Sequence, residues 1–149
     1  MDAEDLMRAA IDATRRGMAR GQGPVGCAIA LPGGDIVVEH NRVYELGDGT
    51  AHAEIVALRA AWTKVGDRKL VGAVVATTCE PCPMCATALF FAGVDQVWFG
   101  ASIADLEAAG FDQVPIPAEE IFARSGGRVR IGGGVLAEEC RALLVEWAG

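Results

Sequence analysis

Two scarcities narrow the field for this 149-residue chain before any motif is read. Its longest apolar stretches, such as residues 73–76 and 86–92, fall well short of the roughly 20 residues that a membrane span requires, so no transmembrane helix is expected. Basic residues are outnumbered, with 13 Lys and Arg against 20 Asp and Glu and a net charge of −7. Such a surface repels polyphosphate on average, which argues against a nucleic-acid partner. The opening residues, Met1-Asp2-Ala3-Glu4-Asp5, carry acid where a secretory signal carries positive charge, so no export signal is read and the cytoplasm is the expected location. Histidine is scarcer still, at 2, and cysteine occurs 5 times. An odd count without an export signal argues against a disulfide framework and for thiols used as metal ligands or small core residues. Internal repeats and low-complexity tracts are absent. What remains is globular composition, 52% hydrophobic and 22% charged, in a length that suits one compact domain over residues 1–149.

Periodicity supplies an outline. Residues 3–20 place Leu6, Ala9, Ala10, Ala13 and Gly17 at helical spacing, with acid in the first turn and Arg in the last. Residues 25–31, a Pro32-Gly33-Gly34-Asp35 turn and residues 36–41 predict an antiparallel hairpin, followed by a loop over 42–50. The alanine-rich segment 51–65 predicts a buried helix through Ile55, Leu58 and Trp62. Residues 71–77 read as a central strand, and 83–92 as a helix opened by proline and ended by Gly93. Strands are expected at 96–100 and 129–131, and a closing helix at 136–147. Alternating helices and strands after one hairpin predict a mixed sheet between helical layers.

The chemistry is concentrated in His52-Ala53-Glu54 and Pro81-Cys82-Pro83-Met84-Cys85. Zinc favours imidazole and thiolate, and a catalytic zinc uses three protein ligands so that a fourth position stays open. His52, Cys82 and Cys85 supply that number. Cys82 and Cys85 are spaced to share one face at a helix start, where the dipole favours thiolate. Glu54 cannot share a face with His52 in a regular helix. His52 must therefore sit at the very start of its helix, with Glu54 one step inside and aimed at the attacking water rather than at the metal. H-x-E followed by P-C-x-x-C is the signature of zinc nucleobase deaminases, in which the Glu carries protons and is not a ligand. Taken singly, a C-x-x-C is also a structural zinc knuckle or redox pair, and an H-x-E a solvated helix start. A structural zinc wants a fourth protein ligand, and neither His40 nor the other cysteines has a paired spacing. Iron is an alternative occupant in principle.

At these residues the chain resembles the cytidine deaminase superfamily, in the branch that holds guanine deaminase, fungal-type cytosine deaminase and bacterial tRNA adenosine deaminase. The opening helix, Gly23-Pro24-Val25-Gly26, Asn41, Ala51-His52-Ala53-Glu54, Thr78-Cys79-Glu80-Pro81-Cys82-Pro83-Met84-Cys85 and the final helix carry the likeness. The resemblance implies an α/β fold, a three-layer α-β-α sandwich with a five-stranded mixed sheet. It also implies a homodimer or larger assembly with active sites near subunit contacts. It assigns base hydrogen bonding to Asn41 and pocket lining to the backbone around Ala53 and to the strand end at Thr78 to Glu80. Cys79 to Cys85 and Glu107-Ala108-Ala109-Gly110-Phe111-Asp112 are similar to guanine deaminase, whereas Val135-Leu136-Ala137-Glu138-Glu139-Cys140 resembles the tRNA enzyme. Where the guanine enzymes place an acidic residue after Gly-Phe-Asp, this chain has Gln113. A related purine, cytosine or a triazine analogue therefore stands beside guanine as substrate.

The expectation is zinc-dependent hydrolytic deamination of a free nucleobase, with Glu54 as proton carrier. A tRNA adenosine deaminase is the alternative, although the last helix ends Leu144-Val145-Glu146-Trp147 without the basic tail that phosphates require. A catalytically silent zinc scaffold is the other, and such a scaffold has no reason to retain Glu54. Asp112 is read either as closing over substrate or as a turn former. Phe111 and Trp98 are candidates to stack on a base, with core packing the better use for Trp98. Cys27, Cys79 and Cys140 are read as buried thiols, Cys79 bordering the pocket, and His40 as a partly exposed strand histidine.

Overall fold

The computed structural model describes residues 1–148. Helix α1, Ala3–Ala19, begins where the Asp2 carboxylate accepts the Asp5 N–H at 2.8 Å, and Glu4 and Asp5 occupy its electropositive first turn. Its buried stripe, including Leu6, Met7, Ala10, Ile11 and Thr14, lies across strands β1, Gly26–Ala30, and β2, Ile36–His40. The two strands pair antiparallel as expected of the hairpin. Further along come α2 (Val43–Leu46), α3 (Ala53–Val65), β3 (Val74–Cys79), α4 (Pro83–Ala92) and β4 (Gln96–Ala101). The chain continues through α5 (Ile103–Ala108), α6 (Ala118–Arg124), β5 (Arg130–Gly132) and α7 (Ala137–Ala148).

The five strands form one sheet in the order β2-β1-β3-β4-β5. Strand β1 runs antiparallel to both neighbours, and β3, β4 and β5 are mutually parallel, so the sheet is mixed as the sequence implied. Side chains alternate between two cores. Cys27, Ile29, Val75 and Val97 face α3, α4 and α6, while Ala28 and Ala76 face α1 and α7. The small residues on the second face let α1 approach closely. A Cβ built on Gly26 overlaps the Ala10 carbonyl and the Thr14 hydroxyl. Gly26→Ala is therefore expected to destabilise the protein by about 1–3 kcal/mol through overpacking, lowering the Tm by roughly 2–4 °C for each kcal/mol in a chain of this size. An unchanged melting curve would mean that α1 and β1 do not meet this closely.

The structure departs from the sequence outline in three places. Strand β3 starts at Val74 rather than residue 71, because Gly72 has φ +89°, a left-handed turn conformation, and its N–H bonds to Asp95 Oδ1 at 2.9 Å. The 42–50 loop contains α2, a single turn. The stretch 103–124 contains α5 and α6, two helices too short for a periodicity to register. The first of them nevertheless opens with a capping box, Ser102 and Asp105 exchanging side-chain and backbone hydrogen bonds at 3.1 and 2.9 Å.

These elements bring two helix starts to the carboxyl end of β3. His52 is the N-cap of α3, and Cys82 is the N-cap of α4, whose first helical residue is Pro83. In sheets with parallel strands, ligands sit outside the strand carboxyl ends, and the site lies there.

Candidate active site

His52 Nδ1 lies 3.6 Å from Cys82 Sγ and 3.5 Å from Cys85 Sγ. All three donor atoms fall within 4.8 Å of one another. A tetrahedral zinc with its usual Zn–S and Zn–N bonds of about 2.3 and 2.0–2.1 Å has N···S edges of roughly 3.5 Å, so the donor set has the right size as well as the right chemistry. Three ligands leave the fourth position open. The side chain of Glu54, one position into α3 beyond Ala53, is only 3% exposed. Its Oε1 is a buried oxygen with no hydrogen-bond partner among the described residues, which leaves it available to a water beside the trio.

The electrostatics of the trio follow from one shared proton. The hydrogen bond from Cys85, then that from His52, holds the Cys82 thiol down to about 4. Cys85, the donor in that bond and itself buried, is pushed up. The His52 ring is raised first by its bond to Cys82. A divalent cation binds such a pair as thiolates and releases the proton. Burial lifts the Glu54 carboxyl to about 7, against the smaller lowering effect of His52. A group there exchanges protons readily near neutral pH. Cys27 and Cys79 are pushed up by burial, and Cys140 likewise to about 12, so these three remain neutral thiols.

His52, Cys82 and Glu54 line a cavity of about 190 Å³. Three further stretches of chain wall it: Gly23, Pro24 and Val25, then Asn41, Val43 and Tyr44, and as the third Leu106, Phe111 and Gln113. Trp147 of α7 also lines it, its ring stacked on Tyr44 with centroids 6.2 Å apart and planes 20° apart. Asn41 is oriented by its surroundings. Its Oδ1 accepts the Val43 N–H at 3.0 Å, which leaves the amide Nδ2 free to donate into the cavity. Helix α2, which carries Val43 and Tyr44, is further held by Gln22 Oε1 on the Glu45 N–H at 3.2 Å and by Arg42 between Glu39 and Glu45.

Of the residues singled out in the sequence, the structure gathers His52, Glu54, Cys82, Asn41, Phe111, Gln113, Cys79 and Glu80 on the cavity, with Cys85 behind Cys82. Asp112 is exposed and outside the lining, and Ala53, the first residue of α3, is wholly buried in the core and also outside it. Trp98 is likewise away from the cavity, and its ring lies against Gly132. His40 is not partly exposed but 5% exposed, because its ring packs on Gly17 of α1. Its Nδ1 donates to the Asn41 carbonyl at 2.7 Å. Sequence reasoning missed Tyr44, Val43, Leu106 and Trp147. No local signal marks them, since each reaches the site only through the tertiary fold.

A mixed five-stranded sheet with a His, two Cys and a buried Glu at the carboxyl end of β3 defines a zinc-type deaminase, and the chain belongs to the family of the cytidine and deoxycytidylate deaminase zinc-binding region, whose model matches residues 1–101. Zinc is the cofactor of that family, and His52, Cys82 and Cys85 form the possible site for it among the described residues. Two kinds of relative stand out. The chain is 35% identical to the guanine deaminase of Bacillus subtilis (strain 168) over 127 residues, 80% of this chain and 81% of that one. It is 32% identical to the tRNA-specific adenosine deaminase of the same organism over 141 residues, 95% of this chain and 85% of that one. Among solved structures, guanine deaminase from Nitrosomonas europaea superimposes with a TM-score of 0.89 at 29% identity, covering 99% of this chain and 85% of that one.

Proposed function

We propose that this enzyme hydrolytically deaminates a free nucleobase, with guanine or a related purine ahead of cytosine and triazine analogues. The observation that carries this reading is the size of the cavity. At about 190 Å³ it is smaller than the roughly 300–1,000 Å³ of pockets for drug-sized ligands. The stacked rings of Tyr44 and Trp147 take up part of its lining and leave less room for a ribose beside the base. The likeness to guanine deaminases favours a purine, and the net charge of −7 disfavours a polyphosphate chain. A second reading, adenosine within tRNA, draws on the similarity to the Bacillus subtilis tRNA enzyme and requires Trp147 to move off Tyr44.

His52, Cys82 and Cys85 would hold the zinc. When bound, it supplies Lewis acidity that brings the pKa of a water to about 7. The remaining work falls to the chain's own groups. Glu54, buried and with Oε1 unengaged, takes a proton from the attacking water and returns protons to the ring nitrogen and to the departing amine. Asn41 Nδ2 donates to an acceptor on the base edge, which fixes the ring in the plane of attack. Phe111 and Leu106 cover an apolar face, and Tyr44 with Trp147 excludes bulk water.

Ammonia release by the zinc-loaded enzyme tests the reading against guanine, adenine, cytosine, a triazine, their nucleosides and tRNA. Turnover of one free base, with its nucleoside slower by at least about tenfold, is expected. A nucleoside or tRNA turned over faster than any free base would overturn it.

A further inference from the structure

We propose that Glu80 is a positioning residue that clamps both ends of the segment forming the third wall of the cavity. Its backbone is fixed first, because the Glu80 N–H bonds to the Ala101 carbonyl at 2.7 Å and so ties the end of β3 to the end of β4. Its carboxylate then divides between two helices. One oxygen accepts the Ile103 N–H at 3.0 Å, the first residue of α5, and the other accepts the Ala118 N–H at 2.8 Å, the first residue of α6. Both N–H groups belong to helix first turns, which have no intrahelical acceptor. A carboxylate placed at two helix starts also meets two positive dipole ends, which stabilises a charge that is only 8% exposed.

The chain between those two anchors carries Leu106, Phe111 and Gln113 on the cavity. Its middle is loosely held. Asp112 and Val114 are exposed, the latter at 57%, and residues 111–117 form neither helix nor strand. Fixing both ends of such a segment with one rigid group removes much of its freedom. Glu80 thereby joins the strand end that precedes Cys82 and Cys85 to the segment that bears this wall. Glu80 itself borders the cavity, yet both its oxygens are engaged by backbone. It therefore acts on substrate through Leu106, Phe111 and Gln113.

The inference rests on the proposed base-binding reading for its kinetic arm only. Glu80→Gln keeps the shape but replaces one acceptor oxygen by a donor, leaving the Ile103 or Ala118 N–H buried without a partner. Amide exchange of the zinc-loaded protein is expected to speed up by roughly ten- to a hundredfold at that residue and across 104–117, with the amides of β1, β3 and β4 unchanged and zinc stoichiometric. The same variant should raise KM about tenfold while kcat stays within twofold to threefold. Uniform acceleration across the sheet, loss of zinc, or a fall in kcat at constant KM would each overturn the assignment. If the variant does not fold, the native protein still decides. Slow exchange at Ile103 and Ala118 supports the clamp, and fast exchange at both sinks it. Should no base in the panel turn over, the exchange result stands by itself, so failure of the substrate reading and failure of the clamp are distinguishable.

Discussion

Glu54→Gln is expected to lower kcat by about 10²–10⁴-fold while leaving zinc bound and the melting temperature at or above that of the native protein. The expectation follows from what Glu54 lacks. Its Oε1 is buried with no hydrogen-bond partner, so no helix end or loop depends on that oxygen. Burial lifts the carboxyl to about 7, which reflects an unfavourable environment for its charge. An amide of the same shape removes that burden and also removes the ability to carry a proton. Activity and stability therefore move in opposite directions, the signature of a residue held for chemistry rather than for folding. Steady-state ammonia release, metal content and thermal unfolding on one preparation decide it. A variant within tenfold of native kcat would mean that another group moves the proton.

The chemical half of this site was legible in the sequence because its residues are local. His52 and Glu54 are two positions apart, and Cys82 and Cys85 three, so one helix start each is enough to aim them. Proline at the first position of α4 and Gly93 after its last, at φ +70°, marked that helix at both ends. The recognition half was largely hidden. Tyr44 and Trp147 are 103 positions apart and meet only because α7 packs beside α1 and reaches α2. Helices α2, α5 and α6 have 4, 6 and 7 residues, less than two turns each, so an apolar stripe has no room to repeat. Glu80 reads in the sequence as one acid in a Cys-Glu-Pro-Cys string, and its two partners are backbone amides, which no side-chain pattern encodes.

Such a division has a physical basis. Metal ligation and proton transfer need side chains within a few tenths of an ångström of fixed positions, which rigid helix starts provide. Choosing a substrate needs a wall whose shape can change while those positions stay. Here the wall is formed by Leu106 of α5 and by Phe111 and Gln113 of the segment that joins α5 to α6. Gln113 sits on it with a neutral amide facing the cavity. A change at Phe111 or Gln113 therefore alters the cavity of this chain without touching the ligand trio.

Cys85→Ser should remove stoichiometric zinc, abolish turnover and erase the effect of chelators on stability. In the native protein a metal bound at about a thousand times its Kd adds roughly 4 kcal/mol, which at roughly 2–4 °C per kcal/mol makes the Tm fall by about 10 °C on chelation. Cys85 is wholly buried and its sulfur lies 3.5 Å from His52 Nδ1, so no solvent ligand can take its place without repacking the start of α4. A serine hydroxyl is a poorer zinc donor than thiolate and does not ionise at neutral pH. Cys79→Ser is the control. It removes a buried thiol within the same string, on the cavity but outside the donor trio, and should leave metal content and the chelator response intact. Both variants cut a core sulfur, so a drop in Tm alone does not separate them. The difference lies in the response to chelator, which reports the metal and not the packing. Retained zinc in Cys85→Ser, with the native response, would mean that the ion is held by a different set of residues.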